Sequence, residues 1–415
     1  MRGIVSYLGR WDVSAGYYKY GGHPTDDYEH CVFWHGKELT MFTCRWGILA
    51  TGGIARTFVK DLLLDPKTRD VEDVKHEVVA AASSSSKARA EEFVSGFGLD
   101  TAKVACYGNY EELVNDKNVD IIYVATPHGL HYDNVKLALN AGKHVLCEKA
   151  FTVNEQQAAH LIKIAQEKNL FLMEAVWTRF FPLSQTLQRL LFKDRILGKL
   201  LRVSADNCIP FDVDTLPLSH RMLDPKLAGG ALLDLGIYAL TWIFMIAYND
   251  PENGHAIPQV TSTMIKNKRT QVDETTNMNL LFPGSGVNCV ATTSMRLRTS
   301  EECVCRIEGE KGVVTVQWAP FRPQSFTVYL NRDFFEPGLD ITKKGFDKEG
   351  EKQTFEIPGQ GMFWEADECA RCIRDGKKES DVMPLEESRV VMSVMDQVRR
   401  DNHFYYPPEI EKCDS

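Results

Sequence analysis

The sequence predicts an α/β protein: a first domain on a parallel sheet, then an α+β domain on an antiparallel sheet. Three observations predict it. From Trp46 to Ala175, short apolar runs alternate with segments of helical spacing, the pattern of right-handed βα crossovers. A glycine turn, Thr51-Gly52-Gly53, follows the first apolar run directly. Beyond about residue 177 the chain changes to short alternating runs separated by turns, which signals antiparallel pairing.

Trp46–Ala50 reads as the first strand, and Ile54, Ala55, Phe58, Val59 and Leu62 recur at helical spacing after it. His76–Ser83 is a buried second strand and Lys87–Phe97 a helix. Val119–Thr126 is almost continuously apolar, as expected of a strand covered on both faces. Val135–Ala141 is a helix with Gly142 at its C-cap position. His144–Cys147 (strand), Glu155–Lys168 (helix) and Phe171–Ala175 (strand) complete the first domain, assigned to residues 45–177. Residues 178–415 form the second domain. Its expected strands are Lys199–Asp206, Val260–Ile265, Met278–Phe282, Val287–Thr293, Val304–Glu308, Val313–Trp318 and Phe326–Leu330. Leu232–Tyr248 is a strongly apolar helical insertion, and Met362–Arg374 and Leu385–Arg400 are amphipathic helices. Lys343–Lys352 reads as a solvated loop. Residues 1–44 are rich in aromatics and Gly without a period and lack the parts of a signal peptide, so they are read as an extension.

The 415 residues suffice for two or three domains. A net charge of −9 argues against a nucleic-acid partner, and the longest apolar stretch, Ala239–Tyr248, is too short for a membrane span. The 11 cysteines form no disulfide framework. Neither Cys369-Ala370-Arg371-Cys372 nor Cys303-Val304-Cys305 has a second cluster at zinc spacing, so no metal is expected. Free thiols point to a reducing, cytoplasmic location.

Dinucleotide binding needs a tight strand-to-helix turn whose backbone approaches a pyrophosphate at a helix N-terminus. Thr51, Gly52, Gly53, Ile54 and Ala55 occupy that place, with Ala50 standing where the first Gly of the usual pattern falls. The first domain is therefore read as a Rossmann domain. After its second strand comes Ser83-Ser84-Ser85-Ser86-Lys87 and then Arg89, with no carboxylate to repel a 2′-phosphate. Ser84, Lys87 and Arg89 favour NADP over NAD. Two strands in the middle of the first domain carry the crevice residues. One ends at Thr126-Pro127-His128, with His131 close behind. The next ends at Cys147-Glu148-Lys149-Ala150, and Lys149 at a strand's carboxyl end projects toward ligands. Farther on, Asp234 and Tyr238 stand four residues apart in an apolar helix, on one face of it. A carboxylate there requires a polar pocket.

These segments carry a resemblance. GILATGGIA, VATPHGLH, HVLCEKAF, EAVWTRFFP, HRMLDPKLAGGALLDLGIYALTW and GMFWEADE resemble, in order, the Gfo/Idh/MocA oxidoreductases. Within that family the likeness runs to the fungal NADP-dependent D-xylose 1-dehydrogenase and dimeric dihydrodiol dehydrogenase branches, with the glucose–fructose oxidoreductases nearby. The resemblance implies a Rossmann domain followed by a large, open antiparallel sheet that makes a homodimer contact. It places the family's Glu-Lys-Pro signature on Glu148, Lys149 and Ala150, its acid/base on Tyr238 and the accompanying carboxylate on Asp234. Trp177, Arg179 and Phe180 fall in the segment lining the crevice, and Arg221 in one just before the catalytic helix. Cofactor contacts are thus expected from Thr51–Ala55, Ser84, Lys87, Arg89, Thr126, Pro127, His128, His131, Glu148, Lys149, Trp177 and Arg179. Substrate contacts are expected from Lys149, Phe180, Arg221, Asp234 and Tyr238. The implied activity is NADP-dependent oxidation of a sugar such as D-xylose or D-glucose at C1, to the lactone, with Lys149 lowering the Tyr238 pKa. The alternatives are a glucose–fructose oxidoreductase with retained NADP(H), a dihydrodiol dehydrogenase and a non-catalytic NADP-sensing regulator.

Overall fold

The computed structural model describes residues 41–330 and 350–414. The first sheet holds β1 (Phe42–Leu49), β2 (Val74–Ala82), β3 (Ala105–Tyr107), β4 (Ile121–Val124), β5 (His144–Glu148) and β6 (Leu172–Ala175). Its order is β3-β2-β1-β4-β5-β6, and every pair is parallel. The crossovers carry α1 (Gly53–Leu62), α2 (Lys87–Ser95), α3 (Tyr110–Val114), α4 (His131–Asn140) and α5 (Glu155–Glu167). Strand order reverses between β1 and β4, which opens a crevice at their carboxyl ends. All four residues of β4 are buried. In β1, a side chain at Gly47 would come within 2.8 Å of Ile122 and 2.9 Å of Val119, so glycine permits the close approach of β4. β3 and α3 were not expected: three and five residues are too few to show a period.

The second sheet follows α6 (Pro182–Gln188) and contains β7 (Leu200–Cys208), β8 (Gln259–Lys266), β9 (Asp273–Leu281), β10 (Asn288–Ser294), β11 (Cys305–Gly309), β12 (Gly312–Val316), β13 (Ser325–Leu330) and β14 (Glu351–Thr354). Its order is β14-β13-β12-β11-β7-β10-β9-β8. The sheet is large and antiparallel, as expected, except at one pair: β7 and β10 run parallel over seven residue pairs. The long excursion between them, a helical segment and the β8–β9 hairpin, lets the chain re-enter beside β7 in the same direction.

That helical segment also departs from expectation. The regular part is α7 (Ile237–Ile243), flanked by wide π-type turns at Leu232–Gly236 and Phe244–Tyr248. Pro225–Tyr248 is 24 residues long and apolar enough to cross a membrane by composition, but its most apolar 18-residue stretch is wholly buried inside the protein. It packs on β7 and β10, where the Asn207 side chain donates to the Leu235 carbonyl at 3.0 Å.

The last helices, α8 (Phe363–Arg374) and α9 (Leu385–Asp401), return to the first sheet. α8 lies on α1, β1 and β2, and α9 on α5 and β6. Buried Asp367 of α8 takes both Arg69, at 2.8 Å, and His76, at 2.8 Å. Asp61 of α1 accepts the backbone N–H groups of Gln360 and Met362. Of the expected extension, residues 42–44 already belong to β1, and 1–40 lie outside the described residues. Most of the expected Lys343–Lys352 loop also lies outside them, and its last residues, Glu351 and Lys352, open β14. All ten cysteines among the described residues are free.

Ala50, at the turn out of β1, has a φ of 84°. A left-handed residue with a Cβ costs about 1–2 kcal/mol, while glycine loses about 0.5–1 kcal/mol more backbone entropy on folding. Ala50→Gly is therefore expected to stabilise the fold by about 0.5–1 kcal/mol. Urea unfolding checks this, and a lower midpoint would contradict it.

Candidate active site

The turn after β1 opens α1 with no side-chain cap. Gly52 and Gly53 are exposed, and a Cβ on either would meet nothing within 4 Å. The first N–H groups of α1 therefore face open space, as an anion site requires. Thr51 is half-buried and Ile54 exposed on the same turn, while Ala55 is buried and packs inward. At the end of β2, Ser84, Lys87 and Arg89 are exposed. Ser86 caps α2 by accepting from Arg89 N, and Lys87 Nζ lies 3.8 Å from Glu91 of the next turn.

The crevice floor is assembled around one carboxylate. Asp234 is 5 % exposed. Its Oδ1 accepts from Lys149 Nζ at 3.2 Å and from Arg221 Nη1 at 2.7 Å, and it lies 3.7 Å from His128 Nε2. Lys149 also donates to the Asp234 carbonyl at 2.8 Å. Burial alone would push Asp234 up, but Lys149, Arg221 and His128 outweigh it and hold the carboxyl below its ordinary range. Burial drives His128 down to about 3, so its ring is neutral.

Lys149 Nζ sits 4.9 Å from the centre of the Tyr238 ring, so Asp234 and Tyr238 do converge on Lys149. The expected electrostatics are corrected here. Lys149 makes its hydrogen bonds to Asp234 and makes none to the Tyr238 phenol. Burial, with Glu148 adding to it, pushes the phenol well above 10. Trp177 Nε1 donates to the Tyr238 oxygen at 2.9 Å. Among the described residues no acceptor takes the phenol's own proton, which is left for a ligand.

Three expected contacts are placed elsewhere. His131 is fully buried, its ring nitrogens 2.9 Å from the Ala150 carbonyl and 2.7 Å from that of Thr126. It ties the ends of β4 and β5 together beneath the crevice instead of lining it. Arg179 is buried and turned to Glu387 of α9, so it braces the fold. Glu148 is buried, accepting from the Tyr123 phenol and from Lys149 N. Thr126 accepts from Asn134 at 3.2 Å, and Pro127 is exposed at the crevice edge. Trp177 and Phe180 are each 8 % exposed, at its rim.

Two residues carry weight that no pattern announced. Phe321, in the β12–β13 loop, stacks parallel to Trp177 at 6.3 Å and lies 5.7 Å from the Tyr238 ring. Its loop is pinned by Thr178, which donates to the Phe321 carbonyl, and by Trp242, which donates to that of Pro320. Asp273 accepts from Leu232 N at 2.7 Å and so caps the helical segment that carries Asp234 and Tyr238. Burial raises Asp273 to about 6. Gly230, at a φ of 122°, passes so close that a Cβ there would collide with this carboxylate. Gly229-Gly230 was the available clue to Asp273; Phe321 had none.

Comparisons with known proteins agree with this architecture. Residues 44–176 match the family described as "Oxidoreductase family, NAD-binding Rossmann fold", and residues 185–315 match the GFO/IDH/MocA C-terminal domain. The chain belongs to the Gfo/Idh/MocA oxidoreductases. It is 46 % identical over 387 residues to the D-xylose 1-dehydrogenase (NADP(+)) of Hypocrea jecorina, covering 88 % of this chain and 94 % of that one. It is 35 % identical over 367 residues to the mouse trans-1,2-dihydrobenzene-1,2-diol dehydrogenase, covering 88 % and 98 %. Among solved structures, an aldose-aldose oxidoreductase from Caulobacter crescentus superposes with a TM-score of 0.70 at 21 % identity, covering 87 % of this chain and 98 % of that one.

Asp234 answers Lys149, a largely buried ammonium. Removing one member of such a pair costs about 3 kcal/mol or more, so Asp234→Ala is expected to destabilise the protein by about that amount at neutral pH. Because the folded value is depressed, this contribution is present above the ordinary 3.8 and lost as pH falls below it. The gap between wild type and Asp234→Ala in urea unfolding should therefore narrow on acidification. A gap independent of pH would contradict the assignment.

Proposed function

We propose that the protein is an NADP-dependent sugar oxidoreductase that oxidises C1 of an aldopyranose, such as D-xylose, to the lactone. The observation that carries this reading is the convergence of Lys149, Asp234 and Tyr238 at the carboxyl ends of the Rossmann strands, beside a phenol proton with no acceptor among the described residues. The 46 % identity to a D-xylose 1-dehydrogenase over most of both chains supports the substrate class.

The open Gly52-Gly53 turn fits a pyrophosphate. The exposed Ser84, Lys87 and Arg89 fit a 2′-phosphate, with no carboxylate of β2 against them. Bound NADP supplies the acceptor for the C1 hydride. Lys149 and Arg221 orient the sugar hydroxyls, and Lys149 stabilises negative charge on O1 as its proton leaves. Tyr238 takes that proton. Trp177 favours the phenolate by its N–H donation, and Phe321 with Trp177 offers an apolar wall for the sugar's C–H face.

In the resting protein Tyr238 holds its proton, so the sugar-oxidising direction must first lose it. Oxidation is expected to speed up as pH rises from neutral to alkaline, while reduction of the lactone persists at neutral pH. A pH profile of kcat/KM in each direction checks the sign. Tyr238→Phe should lower turnover by about 10²–10⁴-fold with NADP affinity unchanged, and a near-normal rate would overturn the role. Lys87→Ala with Arg89→Ala should weaken NADP binding by about 10–100-fold and leave NAD binding alone. The outer face of the second sheet exposes Thr261, Thr263, Asn277 and Asn279, and we assign it as the contact of a homodimer. Free thiols support a cytoplasmic location.

A further inference from the structure

Glu365 is the third residue of α8 and is fully buried. Among the described residues neither carboxyl oxygen has a hydrogen-bond partner, although a buried unpaired polar group is costly and uncommon. It stands close enough to Glu148 and Asp61 to feel their charges, and its own charge reaches Tyr123 and Tyr238. Among the described residues no cation is paired with it. Asp61 faces it from α1, Tyr123 from β4, Glu148 from β5, Tyr238 from α7 and Cys369 from the next turn of α8. From β1, Cys44 stands against Cys369. Arg322, the cation that acts on Asp61, donates to the backbone carbonyls of Ile357, Gly359 and Gln360.

Glu148 and Glu365 therefore form two carboxyls behind one phenol, and their partners differ. Burial raises Glu148 as well, but Glu148 accepts from the Tyr123 phenol and from Lys149 N at 3.2 Å, bonds that favour its ionised form. Glu365 has none. Two nearby buried carboxyls cannot both be charged cheaply, so the proton falls to the one without donors.

We propose that Glu365 is a positioning residue for the proton chemistry at Tyr238: near neutral pH it carries a proton while Glu148 is ionised, and so keeps a second negative charge from forming near the phenol. This rests on the reading of Tyr238 as the proton-transfer residue. Burial first, then Glu148 and Asp61, pushes Glu365 well above the carboxylate range, in line with that role. As pH climbs, Glu365 and Tyr238 compete: each proton lost makes the other harder to lose.

Infrared spectroscopy and a pH profile test it together. Glu365→Gln keeps the shape of the neutral acid. The wild-type protein at neutral pH should show the carbonyl stretch of a protonated carboxyl, lost in Glu365→Gln and kept in Glu148→Gln. The alkaline rise in kcat/KM for D-xylose oxidation should move to lower pH in Glu365→Gln by about half a unit to one unit, because no second charge opposes the phenolate. A merely structural Glu365 leaves that position unmoved. Absence of the band from the wild-type protein overturns the proposal even if Glu365→Gln fails to fold. An unmoved profile, or a band unaffected by Glu365→Gln, overturns it as well. Tyr238→Phe, run alongside, separates the two claims: a near-normal rate there defeats the Tyr238 reading, whatever the infrared band shows about Glu365.

Discussion

The Asp234 carboxylate binds Lys149 from the end of β5, Arg221 from the loop ahead of its own helix, and faces His128 from the end of β4. The crevice depends on this contact. The Lys149 side chain is only 13 % exposed, and without Asp234 it would be an uncompensated cation in a low-dielectric floor. Asp234 in turn is held in position by the Asp273 cap, by the close passage at Gly230 and by the fit of the apolar helix against β7 and β10. A parallel sheet and a mixed sheet, far apart along the chain, thus meet at one ion cluster.

Much of the fold was legible because burial writes periodicity into a sequence. Ile121–Val124 is buried on both faces and reads as an unbroken apolar run. β8 and β9 are buried on one face and alternate. Legibility ended where elements were short, as with β3, or where direction was at issue. The parallel pairing of β7 and β10 leaves no mark on either strand's own pattern, because it follows from the path between them. The break of the expected helix into α7 and two wide turns was equally invisible, since every position there is buried and nearly all are apolar.

The site followed the same division. Lys149, Asp234 and Tyr238 could be found because each is polar where its surroundings are not. Their chemistry could not be read so directly. Proximity of Lys149 suggested an acidified phenol, yet the ammonium is committed to Asp234 and burial dominates at Tyr238. Arg179 and His131 sat in matching segments but face Glu387 and two backbone carbonyls, because a segment's place in the chain does not say which way its side chain turns. Phe321 comes from a loop without pattern, held by bonds from Thr178 and Trp242. Glu365 lay in a matching motif, but nothing in the motif told that its carboxyl has no partner.

The central claim is that this crevice moves a hydride from sugar C1 to NADP while Tyr238 handles the O1 proton. Turnover of D-xylose carrying deuterium at C1 tests it most directly. The account predicts that the label appears in the reduced nucleotide, that the sugar product is the unlabelled lactone, and that NADPH forms in equal amount. Deuterium retained in the sugar, or consumption of xylose without reduced nucleotide, would contradict it.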